Sequence, residues 1–422
     1  MTSSKTKGDQ GEEFVNTIAY STFLKYWCYP NPLDITKDNK EICDLLIVFN
    51  EICIIVSVKN YSFSGNYNKY FNKTIDKALR QLSGAERKLF GGREIIVKHP
   101  DRSAERFPKE QISEIFRVIV NTNVNVKFYQ TSFCLNNNRY VTVFDAGAWQ
   151  AMLDELNTIS DVVSYLRERN RLVGNRPAIM LPREEYDFGK TDEVQLETEV
   201  EKLREEFKHR LALISGSEKD LIALYVVNVY QFPEKLYDAS EPFLYIKADG
   251  MWERFQRSKL STGKKEFESD GYFIDHLVRD LLIKIPNGDK ISKALYRLDR
   301  FQRASFVKEF FKFHKEQIQK NPSPHLHRTN IVFDDLHFIF VYFDTTIPIM
   351  SEEVLYGFID KSLHHRNYLM EYKCEEIVAI AFSQDLLSFG FGYISKDDPL
   401  SEEDKKEVEK SFRELGWKMR PE

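Results

Sequence analysis

Two apolar runs, Ile42 to Phe49 and Ile52 to Val58, separated only by Asn50-Glu51, constrain this chain more than any other feature. A turn-forming pair between two runs of strand length predicts a β-hairpin. Neither run alternates apolar with polar residues, so both faces of the hairpin are expected to be covered, as in central strands flanked by helices on each side. A layered α/β domain follows. Ahead of the hairpin, Phe14, Ile18, Phe23 and Leu24 fall at helical spacing over Glu12 to Trp27, and Pro30-Asn31-Pro32 ends that helix. Behind it, the pattern predicts a helix over Tyr70 to Leu89, strands at Glu94 to Val97, Phe116 to Val120 and Tyr140 to Phe144, and a helix over Gly147 to Leu166.

A chain of 422 residues exceeds what one hydrophobic core usually serves. The stretch from Pro177 to Thr198 is rich in proline and charge with little periodicity, which places the main boundary there. We therefore expect an α/β domain over 1–180, a mainly helical region over 199–320 and a small α+β unit over 321–422. In the middle region, helices are predicted over Glu199 to Leu213, Asp220 to Tyr230, Tyr272 to Leu282 and Ile291 to Gln319, with an extended segment near Phe243 to Ile246. The tail reads strand (Leu336 to Phe343), helix (Glu352 to Tyr372), strand (Glu376 to Phe382), strand (Ser388 to Ile394) and helix (Ser401 to Leu415).

Apolar residues at 42% and aromatics at 14% exclude a disordered or low-complexity chain. A net charge of -5 argues against indiscriminate nucleic-acid binding, so any DNA contact must be local. The cysteines Cys28, Cys43, Cys53, Cys134 and Cys374 lack CxxC spacing, and their odd number suits reduced thiols and a cytoplasmic protein. No apolar run reaches the roughly 18 to 20 residues that span a bilayer, so no membrane association is expected.

The hairpin turn sets Asp44 directly opposite Ser57 and diagonal to Lys59, roughly 5 Å and 7 to 8 Å apart between α-carbons. Three polar groups thus meet at one end of a greasy hairpin. Burying a carboxylate and an ammonium costs several kcal/mol unless they pair or bind an ion. The plain reading is a structural ion pair. The chemical one is phosphodiester hydrolysis, in which a carboxylate holds Mg²⁺ and a lysine orients the nucleophile or stabilises developing charge. Glu12, read as lying in the first turn of the opening helix, supplies a second acid or simply complements the helix dipole. On the later helix Lys77, Arg80, Gln81 and Arg87 share a face that reaches phosphate oxygens or is merely solvated. Tyr61, Tyr67 and Tyr70 interleave with these bases and stack on bases or pack internally.

At these residues the chain resembles the PD-(D/E)xK nuclease superfamily, in particular its Mrr-like and NERD-type branches, through Gly8-x-x-Gly11-Glu12, Asp44 and Ser57-Val58-Lys59-Asn60. The resemblance covers about the first 170 residues. It implies a restriction-endonuclease-like α/β/α core followed by a helix-rich α+β module, with Glu12 and Asp44 as ligands of Mg²⁺ (or Mn²⁺), Lys59 as the catalytic lysine and Gln81 in support. The family usually carries Asp, Glu or Gln where this chain has Ser57, a weaker ligand. The Val58 carbonyl and a water are the substitutes available. The function expected is a regulated DNA endonuclease, in restriction or antiviral defence of bacteria, with the C-terminal module sensing a ligand or building a homo-oligomer or partner complex. The alternatives are a degenerate nucleic-acid-binding or scaffold protein, and an RNA substrate. Other motifs are weaker: Ser261-Thr-Gly-Lys264 lacks a full phosphate loop, Gly390-Phe-Gly392 lacks a third glycine, and His325/His327 and His364/His365 lack further zinc ligands.

Overall fold

A computed structural model describes residues 7–36, 39–61, 63, 65–122, 128–135, 139–174, 176–181, 190–207, 210–237, 242–269, 271–285, 288–320, 325–346, 351–396, 400–417 and 419. They fall into two compact units, Met1–Lys265 and Glu266–Glu422.

The first unit opens with α1 (Lys7–Ser21), which buries Val15 and Ala19, and a 3-10 turn (Phe23–Tyr26) capped by Thr22. Next, β1 (Cys28–Pro30), β2 (Leu45–Phe49) and β3 (Ile52–Lys59) form an antiparallel meander. The expected hairpin is present, with Leu45 opposite Val56 and the turn at Asn50-Glu51. Every residue from Ile52 to Val58 is buried, so helices and loops cover both faces of β3. The next helix is built from α2 (Tyr67–Tyr70), a π turn (Phe71–Ile75) and α3 (Asp76–Leu89). Arg117, itself buried, grips Glu86 of α3 through two hydrogen bonds of 2.7 Å and fixes that helix to the sheet.

The expected strand near Glu94 forms instead as β4 (Ile96–Lys98), paired with β5 (Ala104–Arg106) in a separate ribbon. The main sheet continues through β6 (Glu114–Asn121), parallel to β3, and through β7 (Tyr129–Leu135) and β8 (Arg139–Asp145). Where one helix was predicted there are two, α4 (Ala146–Glu155) and α5 (Ile159–Val173), because Asp145 and Thr158 each cap a new N-terminus. Then come β9 (Ala178–Leu181), α6 (Lys190–Glu206), β10 (Leu211–Ser215), α7 (Glu218–Val227), β11 (Phe243–Lys247), α8 (Met251–Gln256) and α9 (Lys259–Ser269).

The sheet order is β1-β2-β3-β6-β8-β7-β9-β10-β11, so the expected break near residue 180 lies within one continuous nine-stranded sheet. Part of that break, residues 182–189, lies outside the described residues. The predicted helix over Glu199 to Leu213 stops at Glu206, and Leu211–Ser215 is an inner strand with a parallel partner on either side. A buried network stitches this later segment to the earlier one. Arg169 of α5 and Glu218 of α7, both fully buried, pair at 2.5 Å, and Tyr165 and Thr131 donate to the same carboxylate at 2.7 and 3.2 Å. Lys264 has a structural use too, pairing with the buried Glu155 at 3.2 Å.

The second unit contains α10 (Tyr272–His276), α11 (Gly288–Arg297) and α12 (Arg300–Ile318), the last two separated where Asp299 forms a capping box with Gln302. Its sheet is β12 (Leu326–Phe333), β13 (Leu336–Phe343), β14 (Glu376–Ser383) and β15 (Phe389–Ser395), with α13 (Glu352–Leu369) joining the parallel pair β13 and β14, and α14 (Glu402–Glu414) closing the chain. Gly390 and Gly392 have a packing purpose, since a Cβ on Gly392 would lie 2.5 Å from Ile359 and 2.8 Å from Leu363 of α13. Among the described residues, no helix is long and apolar enough to cross a membrane.

Candidate active site

The turn register brings Asp44, Ser57 and Lys59 together at the open end of β2 and β3. Asp44 sits one residue before β2, and its Oδ2 accepts the backbone N–H of Val58. Ser57 Oγ accepts from Lys59 Nζ at 2.8 Å, and its single proton has Asp44 Oδ2 at 3.2 Å and Gln81 Oε1 of α3 at 3.3 Å as alternative acceptors. Lys59 Nζ also donates to the Val58 carbonyl at 2.7 Å and stands 3.7 Å from Asp44 Oδ2. The Val58 carbonyl, expected as a substitute ligand, accepts from the lysine.

Glu12 enters from α1, whose close approach depends on Gly11. A Cβ there would come within 2.6 Å of Thr122 Oγ1 and 3.0 Å of Asn60 Cβ, so the second glycine of the GxxGE start is a steric requirement. Because α1 already includes Lys7, Glu12 lies beyond its first turn, where the helix dipole has largely decayed. Its Oε2 accepts a long hydrogen bond of 3.4 Å from Asn31. Burial, then the charge of Asp44, push the Glu12 carboxyl above its ordinary range.

A third acid, Glu41, was not anticipated. It lines the same cleft, is hydrogen-bonded to Asp44, and is pushed up to about 7 by burial and by the charges of Asp44 and Glu12. The only signal in the sequence was an acid three residues ahead of Asp44. Glu41 keeps an exposed side chain at the rim of the cleft, and contacts from Asp34 and Lys88 tie down the segment before it. The buried Asp34 accepts from Thr36 N at 3.1 Å, pairs with Arg93 and lies 3.8 Å from Lys88, while Lys88 also donates to the Lys40 carbonyl at 3.0 Å. Glu12, Glu41, Asp44, Ser57, Gln81 and Lys88 line a cleft of about 360 Å³.

Burial depresses the Lys59 ammonium; Asp44 opposes this and the charge of Lys77 adds to it. Lys59 stands 3.7 Å from Asp44, while Lys88, which also lines the cleft, lies 3.8 Å from Asp34. Among the described residues, no trio of His, Cys, Asp or Glu side chains stands close enough together to hold a metal ion unaided. The donor set still suits a hard cation, being all oxygen and carrying mutual repulsion that a cation would relieve.

That repulsion gives a pH-dependent prediction. A carboxyl whose folded value is raised holds its proton more tightly in the folded state. Its contribution to stability is greatest below the ordinary value of 4.5 and is lost as pH rises toward about 7. Glu41→Gln should therefore melt a few degrees above the wild type at pH 8 in EDTA and level with it near pH 4.5. Melting curves that fail to converge at the lower pH would refute this.

The remaining candidates separate. Lys77 and Arg80 are exposed on α3 beside Gln81, with Arg80 3.8 Å from Asp76. Arg87 lies further along, donating to the Ser83 carbonyl at 3.3 Å, and does not line the cleft. Tyr61 packs against Tyr70, ring centroids 6.1 Å apart, in an aromatic cluster with Phe63, Tyr67 and Phe128. Compared with protein-family models, with curated proteins and with solved structures, the chain matches none.

Proposed function

We propose that this chain is a metal-dependent DNA phosphodiesterase whose chemistry takes place in the cleft between α1, the β2–β3 hairpin and α3. The observation that carries the reading is the convergence of three separate segments, with Glu12, Glu41 and Asp44 on one cleft and Lys59 3.7 Å from Asp44. The resemblance of the GxxGE, Asp44 and Ser57-x-Lys59 positions to PD-(D/E)xK nucleases supports it. Glu12 and Asp44 are the carboxylates that would contribute to holding Mg²⁺ or Mn²⁺, with water making up the rest of the shell, since among the described residues no three such side chains stand close enough to do so unaided. When bound, such an ion supplies Lewis-acid charge at the phosphoryl group. Lys59 is already aimed by Ser57 and the Val58 carbonyl, and its ammonium stabilises charge developing on the phosphate oxygens. Gln81 holds the Ser57 hydroxyl from the helix side. The setting suggested by the same resemblance is restriction or antiviral defence, with the second unit as sensor or oligomerisation module.

The test is incubation of plasmid and linear DNA with Mg²⁺ or Mn²⁺, against an EDTA control and against Asp44→Asn. Cutting that requires the cation and disappears in the variant is expected; cutting that survives in Asp44→Asn removes the assignment. A second reading, a binding protein that has lost catalysis, is favoured by the neutral Ser57. Salt-sensitive DNA binding without cutting would select it, and a labelled RNA arm tests the other polymer.

A further inference from the structure

The nine-stranded sheet ends on one side in β1 and on the other in β11, and the two edges differ. β1 is three residues long, mostly buried and closed by Pro30. β11 reads Phe243-Leu-Tyr-Ile-Lys247, without proline or glycine, and its one charge stands at its end. Edge strands are ordinarily blunted by lysine, proline, a bulge or a covering element, and β11 carries the terminal Lys247 alone of the first three. Its ladder with β10 starts where Leu211 N–H donates to the Pro242 carbonyl and ends where Ala248 N–H donates to the Ser215 carbonyl. Alternate residues of a parallel strand bond to the same neighbour, so Leu244 and Ile246 serve β10, while the N–H and C=O groups of Phe243, Tyr245 and Lys247 point off the sheet. Among the described residues no strand pairs with that outer side. Phe243 and Tyr245 also keep 48% and 53% of their surface exposed, whereas Leu244 and Ile246 are buried.

We infer that two copies of this chain associate through β11, paired antiparallel about a two-fold axis at Tyr245, so that the two sheets join into one. The strand is self-complementary in that register. Tyr245 faces Tyr245 of the second copy, Phe243 faces its Lys247 and Leu244 faces its Ile246. Residues 243, 245 and 247 then all fall at hydrogen-bonded pairs, and every outward N–H and C=O of the strand gains a partner. The axis runs perpendicular to the sheet, so both copies keep the same face up. On one face each Lys247 ammonium lies over a Phe243 ring and the two tyrosines meet; on the other, Leu244 and Ile246 continue the buried apolar layer. Like charges stay apart, since the two ammoniums are separated by about 13 Å of strand at about 3.3 Å per residue, more than the Debye length of about 8 Å. A parallel pairing would turn one sheet over and set the buried face of one copy beside the exposed face of the other. The two-fold contact also closes on itself and uses up the open edge, which limits the assembly to two. It is independent of the phosphodiesterase reading and of any partner of the second unit.

The test is the mass of the full chain in solution, by sedimentation over a concentration series, for the wild type, Tyr245→Pro and Tyr245→Lys. Proline at 245 removes a donor that points away from β10 and so spares the existing ladder, while lysine keeps the backbone and sets two like charges at the axis. A wild-type dimer is expected, with its dissociation constant raised about tenfold or more in either variant. Tyr245→Lys should melt with the dissociated wild type, since the side chain is half exposed. The register is read by cysteine pairs. Tyr245→Cys sets two α-carbons about 5.5 Å apart across the axis, within reach of a disulfide, whereas Phe243→Cys holds them about 13 Å apart. A mild oxidant should therefore give covalent dimer from Tyr245→Cys and little from Phe243→Cys; Cys28, Cys43, Cys53 and Cys374 are buried. A wild type that is monomeric at every concentration overturns the inference. So does a dimer that both Tyr245 variants leave intact, which would put the contact elsewhere, or one that Phe243→Cys cross-links as readily as Tyr245→Cys.

Discussion

Arg169→Met is expected to destabilise the first unit by about 3–5 kcal/mol, the usual cost of stranding one member of a buried ion pair. At about 2–4 °C per kcal/mol the thermal midpoint should fall by roughly 6–20 °C. Arg169 and Glu218 are both fully buried, and the guanidinium donates to Glu218 Oε2 at 2.9 Å, Thr131 Oγ1 at 2.7 Å and the Thr131 carbonyl at 3.1 Å. Removing it leaves a carboxylate in a low-dielectric interior with, among the described residues, Tyr165 and Thr131 as its remaining side-chain donors. The paired change Arg169→Met/Glu218→Leu should recover most of the loss, since the pair as a whole is worth far less than either member alone. Thermal melts of the two singles and the double decide the matter. A single variant that melts with the wild type would mean that the network does not join α5 to α7 as described.

Lys59→Met is expected to slow cleavage by about 100- to 1000-fold, the range for loss of one preorganised donor to a developing oxyanion. Cation binding, followed by Mn²⁺-induced thermal shift, should be kept or tightened, because an ammonium 3.7 Å from Asp44 competes with any cation there. That split between rate and binding distinguishes a catalytic lysine from one that only holds the hairpin end together. The depressed ammonium adds a second signature, since activity must fail as pH rises through a value below the ordinary 10.5 for lysine. A variant that cuts at the wild-type rate would end the proposed role.

Much of the site was legible in the sequence, for a local reason. A two-residue turn between strand-length runs leaves little freedom of register, and a slip of one residue would turn every side chain to the other face. Asp44, Ser57 and Lys59 therefore had to meet. Strands such as Leu211–Ser215 were misread because a short apolar run has no decisive period. In β12 every residue is partly or fully exposed and Arg328, Thr329 and Asn330 interrupt the apolar pattern, so it gave almost no strand signal. For Tyr61 the sequence left two readings open, since an aromatic among bases has the same spacing whether it stacks on a ligand or packs on Tyr70, as it does here.

Local chemistry by itself determined the hairpin, its register and the polar trio at its end, together with the helix that follows. Only the tertiary structure decided that Glu41 joins the site and that the sheet runs past residue 181 to β11. Glu41 depends on Asp34 reaching Lys88 and Arg93 of a distant segment, and the extended domain on Arg169 meeting Glu218. Such contacts join residues about 50 or more positions apart, and their free energy comes from burial that exists only once the whole unit has closed.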